Sequence, residues 1–228
     1  MKGASYARRR SAAYSRGPMP QAGPAAYRWP RHRPCPSPEA VITLDIGVIE
    51  NPLSGERIVI HTTAADSGGA LLGWELMLAP GGRVPSSHAH PSQEERFTVV
   101  AGRMRFRVAG RRVIAGPGTA VTVPPGTVHS FANAGSEAAR VMVTTTPALS
   151  MQELLETAAA MARDQHAAGR CRPRLLELAL FMREFEREVR APYLPAAPVR
   201  LVMRALARIA AAGGRDGSYR PARTVAIR

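Results

Sequence analysis

The sequence predicts an all-β core of the jelly-roll type, carried between a basic N-terminal tail and a C-terminal helical extension. Three observations lead there. Between Val41 and Thr146, short apolar or alternating runs are separated by turn residues, with no helical period. The strand-plus-turn unit recurs at a spacing of roughly ten residues, as a jelly roll requires. After Pro147 the apolar period becomes helical. A length of 228 residues allows one compact domain with appendages. With 45% hydrophobic residues and 20 each of Gly and Pro, the chain suits a loop-rich globular core. That composition excludes a wholly disordered, collagen-like or disulfide-dense chain.

The elements follow in chain order. Residues 1–38 carry Lys2 and seven arginines with no acid, and Arg8-Arg9-Arg10 is followed by Ser, Ala, Gly, Pro and Tyr rather than an apolar run. This reads as a disordered basic tail, neither a secretory nor a twin-arginine leader. The barrel is expected over 39–148. Its candidate strands are Arg57 to Thr62, Ala70 to Ala79, Glu95 to Val100, Arg103 to Val108, Thr119 to Val123, Val128 to Phe131 and Ala139 to Thr144. Turn chemistry separates them: Asn51-Pro52 with Ser54-Gly55, Ser67-Gly68-Gly69, Pro80-Gly81-Gly82, Ala101-Gly102, Ala109-Gly110, Gly116-Pro117-Gly118 and Pro124-Pro125-Gly126. Successive strand residues point to opposite faces, so Met104, Phe106 and Val108 share one face and Arg103, Arg105 and Arg107 the other. Glu95 has the parity of Phe97 and Val99, which puts a carboxylate on the apolar side. Such a group is costly unless something pairs with it.

A helical extension is expected over 149–212. Ser150 with Glu153 reads as a capping box opening a helix with Met151, Leu154, Leu155, Ala158 and Met161 on one side. A second helix starts near Pro173, with Leu175, Leu178, Met182, Phe185 and Val189 at heptad-like spacing. A third starts at Pro198, with Val202, Ala205, Leu206 and Ile209 opposite Arg200, Arg204 and Arg208, an arginine stripe read as a solvated face. The helices are expected to cap the barrel or make a dimer contact, and 213–228 to form a disordered tail.

Charge distribution narrows the partners. The net charge of +14 comes from the two ends, because the middle holds nine arginines against nine acids. No nucleic-acid reading element accompanies it, so no specific nucleic-acid partner is expected. No window approaches the roughly 18 apolar residues of a membrane span. Cys35 and Cys171 have no spacing for a metal knuckle or a disulfide framework, and two lone cysteines suit a cytoplasmic, reducing setting.

The chemistry concentrates in His88, His90, Glu95 and His129. An H-x-H pair on an extended segment puts both imidazoles on one face, Glu95 opens the next strand on the lumen side, and His129 joins them if its strand lies alongside. Three imidazoles and a carboxylate suit one divalent ion, Fe, Mn, Ni, Cu or Zn, at a centre with two positions open for water, substrate or O2. Glu94 is the rival for Glu95, and parity favours Glu95. His61 is a further candidate on an early strand.

These residues resemble the cupins. The first cupin motif, G-x5-H-x-H-x3,4-E-x6-G, is met from Gly82 through His88, His90 and Glu95 to Gly102. The second, G-x5-P-x-G-x2-H-x3-N, is met at Gly118, Pro124, Gly126, His129 and Asn133, with fifteen residues between Gly102 and Gly118. The resemblance covers roughly residues 41–147. It implies a double-stranded β-helix, the jelly-roll barrel of small single-domain bacterial cupins, with His88, His90, Glu95 and His129 as metal ligands and commonly a homodimer. Asn133 and the motif glycines are read as turn and packing positions.

The residues of lumen parity, Phe97, Val99, Met104, Phe106 and Phe131, are apolar and read as a pocket wall. A sugar isomerase would need several inward polar groups, and none is evident. An apolar lumen around an open metal site favours a small, mostly apolar ligand and resembles the quercetin-dioxygenase-like cupins, with Glu95 leaving the metal or accepting a proton during the reaction. The alternative is a non-catalytic small-molecule-binding or sensor module whose helical tail reports the ligand.

Overall fold

The computed structural model describes residues 47–84, 86–192 and 196–213. The expected tails at 1–38 and beyond 213, Cys35 and the start of the barrel before residue 47 lie outside these residues, as does the side chain of Arg200.

Nine strands precede three helices. They are β1 (Val48–Asn51), β2 (Glu56–Thr62), β3 (Leu72–Leu78), β4 (Glu94–Ala101), β5 (Met104–Val108), β6 (Arg111–Ala115), β7 (Ala120–Val123), β8 (His129–Asn133) and β9 (Ala139–Thr146), followed by α1 (Met151–Ala167), α2 (Leu175–Glu184) and α3 (Ala196–Ala212). The strands form a six-stranded sheet of order β1-β2-β3-β9-β4-β7 and a three-stranded sheet of order β6-β5-β8. All named pairings are antiparallel. This is the jelly-roll arrangement expected from the turn spacing, with two sheets rather than one continuous closed barrel.

Alternation decides what each strand buries. Glu95, Phe97 and Val99 of β4 are buried while Glu94 and Arg96 are exposed, and Met104 and Phe106 of β5 are buried beneath exposed Arg103, Arg105 and Arg107. Central β3 is the most enclosed strand, lying between β2 and β9 with Leu72, Trp74, Leu76 and Leu78 in the core. The core gathers these with Val121 and Val123 of β7, Phe131 of β8 and Val141 and Val143 of β9. Met151, Leu154, Ala159 and Phe185 join it from the helical region. Burying one such side chain contributes roughly 1.5–3 kcal/mol.

Several expectations need correction. Ser150 stands at the start of α1 but its hydroxyl makes no capping bond. The capping interaction appears instead at α2, where the amide of Arg174 donates to Glu177. The heptad-like stripe after Pro173 is interrupted: α2 ends at Glu184, Leu175 is 60% exposed, and the inward positions are Ala179 and Phe185. On α3 the expected apolar face of Val202 and Ile209 is exposed, and Ala207 is the buried residue. Arg204 and Arg208 are exposed, Arg204 lying 3.5 Å from Glu186. Cys171 is disulfide-bonded, which overturns the reading of two lone thiols and removes the cysteine argument for a reducing compartment. Among the described residues no helix is long and apolar enough to cross a membrane.

Candidate metal centre

Glu95 and His129 approach each other from the two different sheets. Glu95 is the second residue of β4, directed inward by strand parity, and His129 opens β8 in the three-stranded sheet. The segment before β4 brings the other two imidazoles. His88 pairs with His129 through two main-chain bonds, its N–H donating to the His129 carbonyl at 3.0 Å and its carbonyl accepting from the His129 N–H at 2.8 Å. The His90 carbonyl accepts from the amide of Gly126 at 2.7 Å. Gly126 has a φ of +72°, so the turn Pro124-Pro125-Gly126 clasps the loop that carries the H-x-H pair.

One ligand atom from each of His88, His90, Glu95 and His129 lies within 4.8 Å of all the others. Each ring is fixed from behind by a backbone carbonyl: Nδ1 of His88 meets Ser86 O at 3.1 Å, that of His90 meets Glu188 O at 2.5 Å, and that of His129 meets Thr127 O at 3.1 Å. A carbonyl only accepts, so the proton of each neutral ring resides on Nδ1 and the lone pair on Nε2. Nε2 of His90 and of His129 then stand 3.2 and 3.0 Å from Oε2 of Glu95. These three atoms are buried, and none has a hydrogen-bond partner of acceptable geometry. Lone pairs facing a buried carboxylate oxygen at that distance repel unless a cation lies among them. A proton on one ring relieves one contact, whereas a divalent ion satisfies all four groups, and the donor set suits Fe, Mn, Ni, Cu or Zn.

The electrostatics agree with a site built for positive charge. Burial alone would raise the Glu95 carboxyl, but a positively charged His90 beside it, with the His129 ring close by, holds it well below the usual carboxylate range. For His90, burial opposes protonation and Glu95 outweighs it, raising the ring above its ordinary value. His88 keeps partial contact with solvent, yet its neighbours desolvate it, and with the charges of His129 and His90 they push it down to about 3. His88 therefore stays neutral and marks the side from which the otherwise buried cluster is reached.

The other candidates divide clearly. Glu94 is exposed, as parity requires. His61 lies away from the cluster, 3.4 Å from Glu75, which is also ion-paired with Arg140. Phe97 stands 6.3 Å from the ring of His129, centre to centre, and packs against Phe106 and Phe131 at 5.3 and 5.4 Å. Val99, Met104 and Phe106 are inaccessible to solvent and belong to the core beneath the cluster. Asn133 binds backbone through its side chain, donating to Leu78, Ala79 and Glu137 carbonyls and accepting from Gly135. Two buried polar residues escaped the sequence reading. Gln93 anchors the approach to β4 by donating to the carbonyls of Pro147 and Ala148 at 3.0 Å. Glu188 supplies its carbonyl to His90 from 98 positions away, and no local pattern marks it.

Comparison with known proteins finds a family match over part of this core. Residues 74–145 match the family model described as a cupin domain. Among solved structures, a predicted oxalate decarboxylase from Thermotoga maritima is 22% identical at a TM-score of 0.38, covering 40% of this chain and 80% of that one. The polyketide cyclase RemF of Streptomyces resistomycificus is 24% identical at 0.37, covering 44% and 67%. The cupin domain of Schizosaccharomyces pombe Cnp3 is 16% identical at 0.37, covering 40% of this chain and 64% of that one. A search of the curated proteins found no match.

Proposed function

Since residues 74–145 are a cupin domain, we propose that the protein holds one divalent ion through His88, His90, Glu95 and His129 and acts there on a small, mostly apolar molecule, by oxygenation. One observation carries the reading: three buried donor atoms, His90 Nε2, Glu95 Oε2 and His129 Nε2, converge without hydrogen-bond partners. The bound ion would supply Lewis acidity and redox chemistry toward O2. The chain's own contribution is orientation and desolvation. The three carbonyl-fixed imidazoles present their lone pairs, Glu95 supplies the negative charge and is the group placed to accept a substrate proton, and His88 stands at the accessible edge. An apolar rather than a sugar-like ligand is supported by the apolar parity of the strands around the site and by Phe131, since Phe97 and Phe106 are fully buried in the core. By its resemblance the chain works as a homodimer, which sedimentation of the purified protein tests.

Purified protein loaded in turn with Fe, Mn, Ni, Cu and Zn is expected to retain about one ion per chain by elemental analysis, and His88→Ala to lose most of it. Retention of no metal in any case defeats the proposal. Oxygen uptake by the loaded forms against flavonols, catechols and diketones tests the reaction. Tight binding without turnover by every form would assign the site to a non-catalytic binding or sensor module.

A further inference from the structure

The loop bearing the H-x-H pair is gripped on its second side by a segment remote in sequence. Ala89 and Arg190 form an antiparallel bridge, Ala89 N–H donating to Arg190 O at 3.1 Å and Arg190 N–H to Ala89 O at 2.8 Å. His88 is bonded to His129 on the other side, so the loop lies as a middle strand between β8 and residues 185–190. That segment is seated by Phe185, which is in the core and whose carbonyl accepts from the amides of Glu188 and Val189 at 3.1 and 2.9 Å. Glu188 itself is 4% exposed. Its main-chain carbonyl receives His90 Nδ1–H, and its carboxylate oxygen Oε1 accepts from the amide of Ser150 at 3.3 Å, at the start of α1. The Ser150 hydroxyl makes no cap bond there, so a carboxylate from elsewhere occupies the positive end of a 17-residue helix.

We propose that Glu188 is a positioning residue of the metal centre: its carbonyl fixes the tautomer and rotation of His90 so that Nε2 faces Glu95 and His129, and its carboxylate, bound at α1, holds that carbonyl in place. This rests on the reading of the four residues as a metal centre. The physical content is a choice of ring state. A neutral imidazole has one proton, and an acceptor at Nδ1 commits the lone pair to Nε2; without it the ring loses both its tautomeric preference and its orientation. The helical region thereby becomes part of the site, because it supplies the outer partner of one ligand while loops of the β region supply those of the other two.

The test uses the full chain and two readouts. Long-range 1H–15N spectra of the metal-free, histidine-labelled protein, at a pH where the ring is neutral, read the His90 tautomer; absorption titration with Co(II) reads affinity and ligand geometry. Wild type is expected to hold His90 in the Nδ1–H form. Glu188→Ala should give a mixture of tautomers, an altered Co(II) spectrum and a Kd raised by about 10- to 100-fold. Glu188→Gln, which keeps an acceptor oxygen for Ser150, should restore most of the affinity. Arg140→Ala, a destabilising change at the His61–Glu75 cluster, should leave tautomer and Co(II) spectrum as they are. A wild-type His90 protonated on Nε2 overturns the proposal without any variant, as does a Glu188→Ala protein that binds Co(II) like wild type. If wild type retains no Co(II), the metal reading fails and the tautomer alone decides. Loss of the Nδ1–H form in Glu188→Ala then upholds the positioning role, and its retention overturns it.

Discussion

Gly102 turns the chain between β4 and β5 at a φ of +77°, and a Cβ there would lie 2.8 Å from the Cα of Ala139. Gly118 has a similar φ of +81° but nothing within 4 Å of the same position. The two motif glycines therefore answer different demands. Gly102→Ala is expected to cost about 2–4 kcal/mol, combining left-handed backbone strain with a backbone clash, and Gly118→Ala only about 1–2 kcal/mol from the strain. Urea midpoints of the two variants check the order, and equal losses would refute it. Asn133 needs its amide nitrogen, which lies 2.8–3.2 Å from three carbonyl oxygens. Asn133→Ala should cost about 1–3 kcal/mol by leaving those groups unpaired, and Asn133→Asp should cost more at neutral pH, because a carboxylate would face the same oxygens. Glu75 is buried and its carboxyl is held low, first by its hydrogen bond to Arg140. Arg140→Ala should thus lower stability, read as a lower urea midpoint, and an unchanged midpoint would remove the pair from consideration.

At the scale of elements, the seven expected strands all exist with ends shifted by at most two residues, because each has apolar alternation bounded by turn residues. The two that escaped lack the apolar alternation. β6 reads Arg-Arg-Val-Ile-Ala with four exposed residues, although its hairpin turn Ala109-Gly110 is visible in the sequence and both turn residues have positive φ, at 48° and 81°. β1 is four residues long and ends in Asn51-Pro52, which reads as turn. The first residue of β2 makes stability depend on pH. Glu56 is half-buried, and desolvation pushes its carboxyl up to about 7 against the opposing bond from Ser54 Oγ at 2.5 Å. The folded protein then holds a proton that the unfolded chain releases near 4.5. Stability from this group is full below the unfolded value, falls as pH rises through the interval and levels off above about 7. Paired thermal melts of wild type and Glu56→Gln between pH 4 and 8 should diverge across that interval, the variant losing less; parallel curves would remove Glu56 from the account.

For the molecule as a whole, α1 and the segment after α2 are part of the core rather than an appendage to it. Met151, Leu154 and Phe185 are buried with the strand residues, and together they represent roughly 4–9 kcal/mol of apolar burial, comparable to the entire stability of a domain. A chain ended at Ala148 is therefore expected to give no cooperative melt by circular dichroism; a sharp transition would show the β-core sufficient. By itself the sequence determined the strand-and-turn rhythm, the inward parity of Glu95, Phe97 and Met104, and the shared face of the His88 and His90 pair. Each of these is a local or periodic property, legible because side-chain direction alternates along a strand and turn glycines are tied to backbone angles. Tertiary structure alone decided that Glu95 and His129 meet from opposite sheets, that α2 and α3 bury Ala179 and Ala207 rather than Leu175, Val202 and Ile209, and that Glu188 stands behind His90. The reason is physical: a hydrogen bond between residues 98 positions apart leaves no periodicity in either segment, because its donor and acceptor are a common imidazole and a carbonyl that every residue possesses.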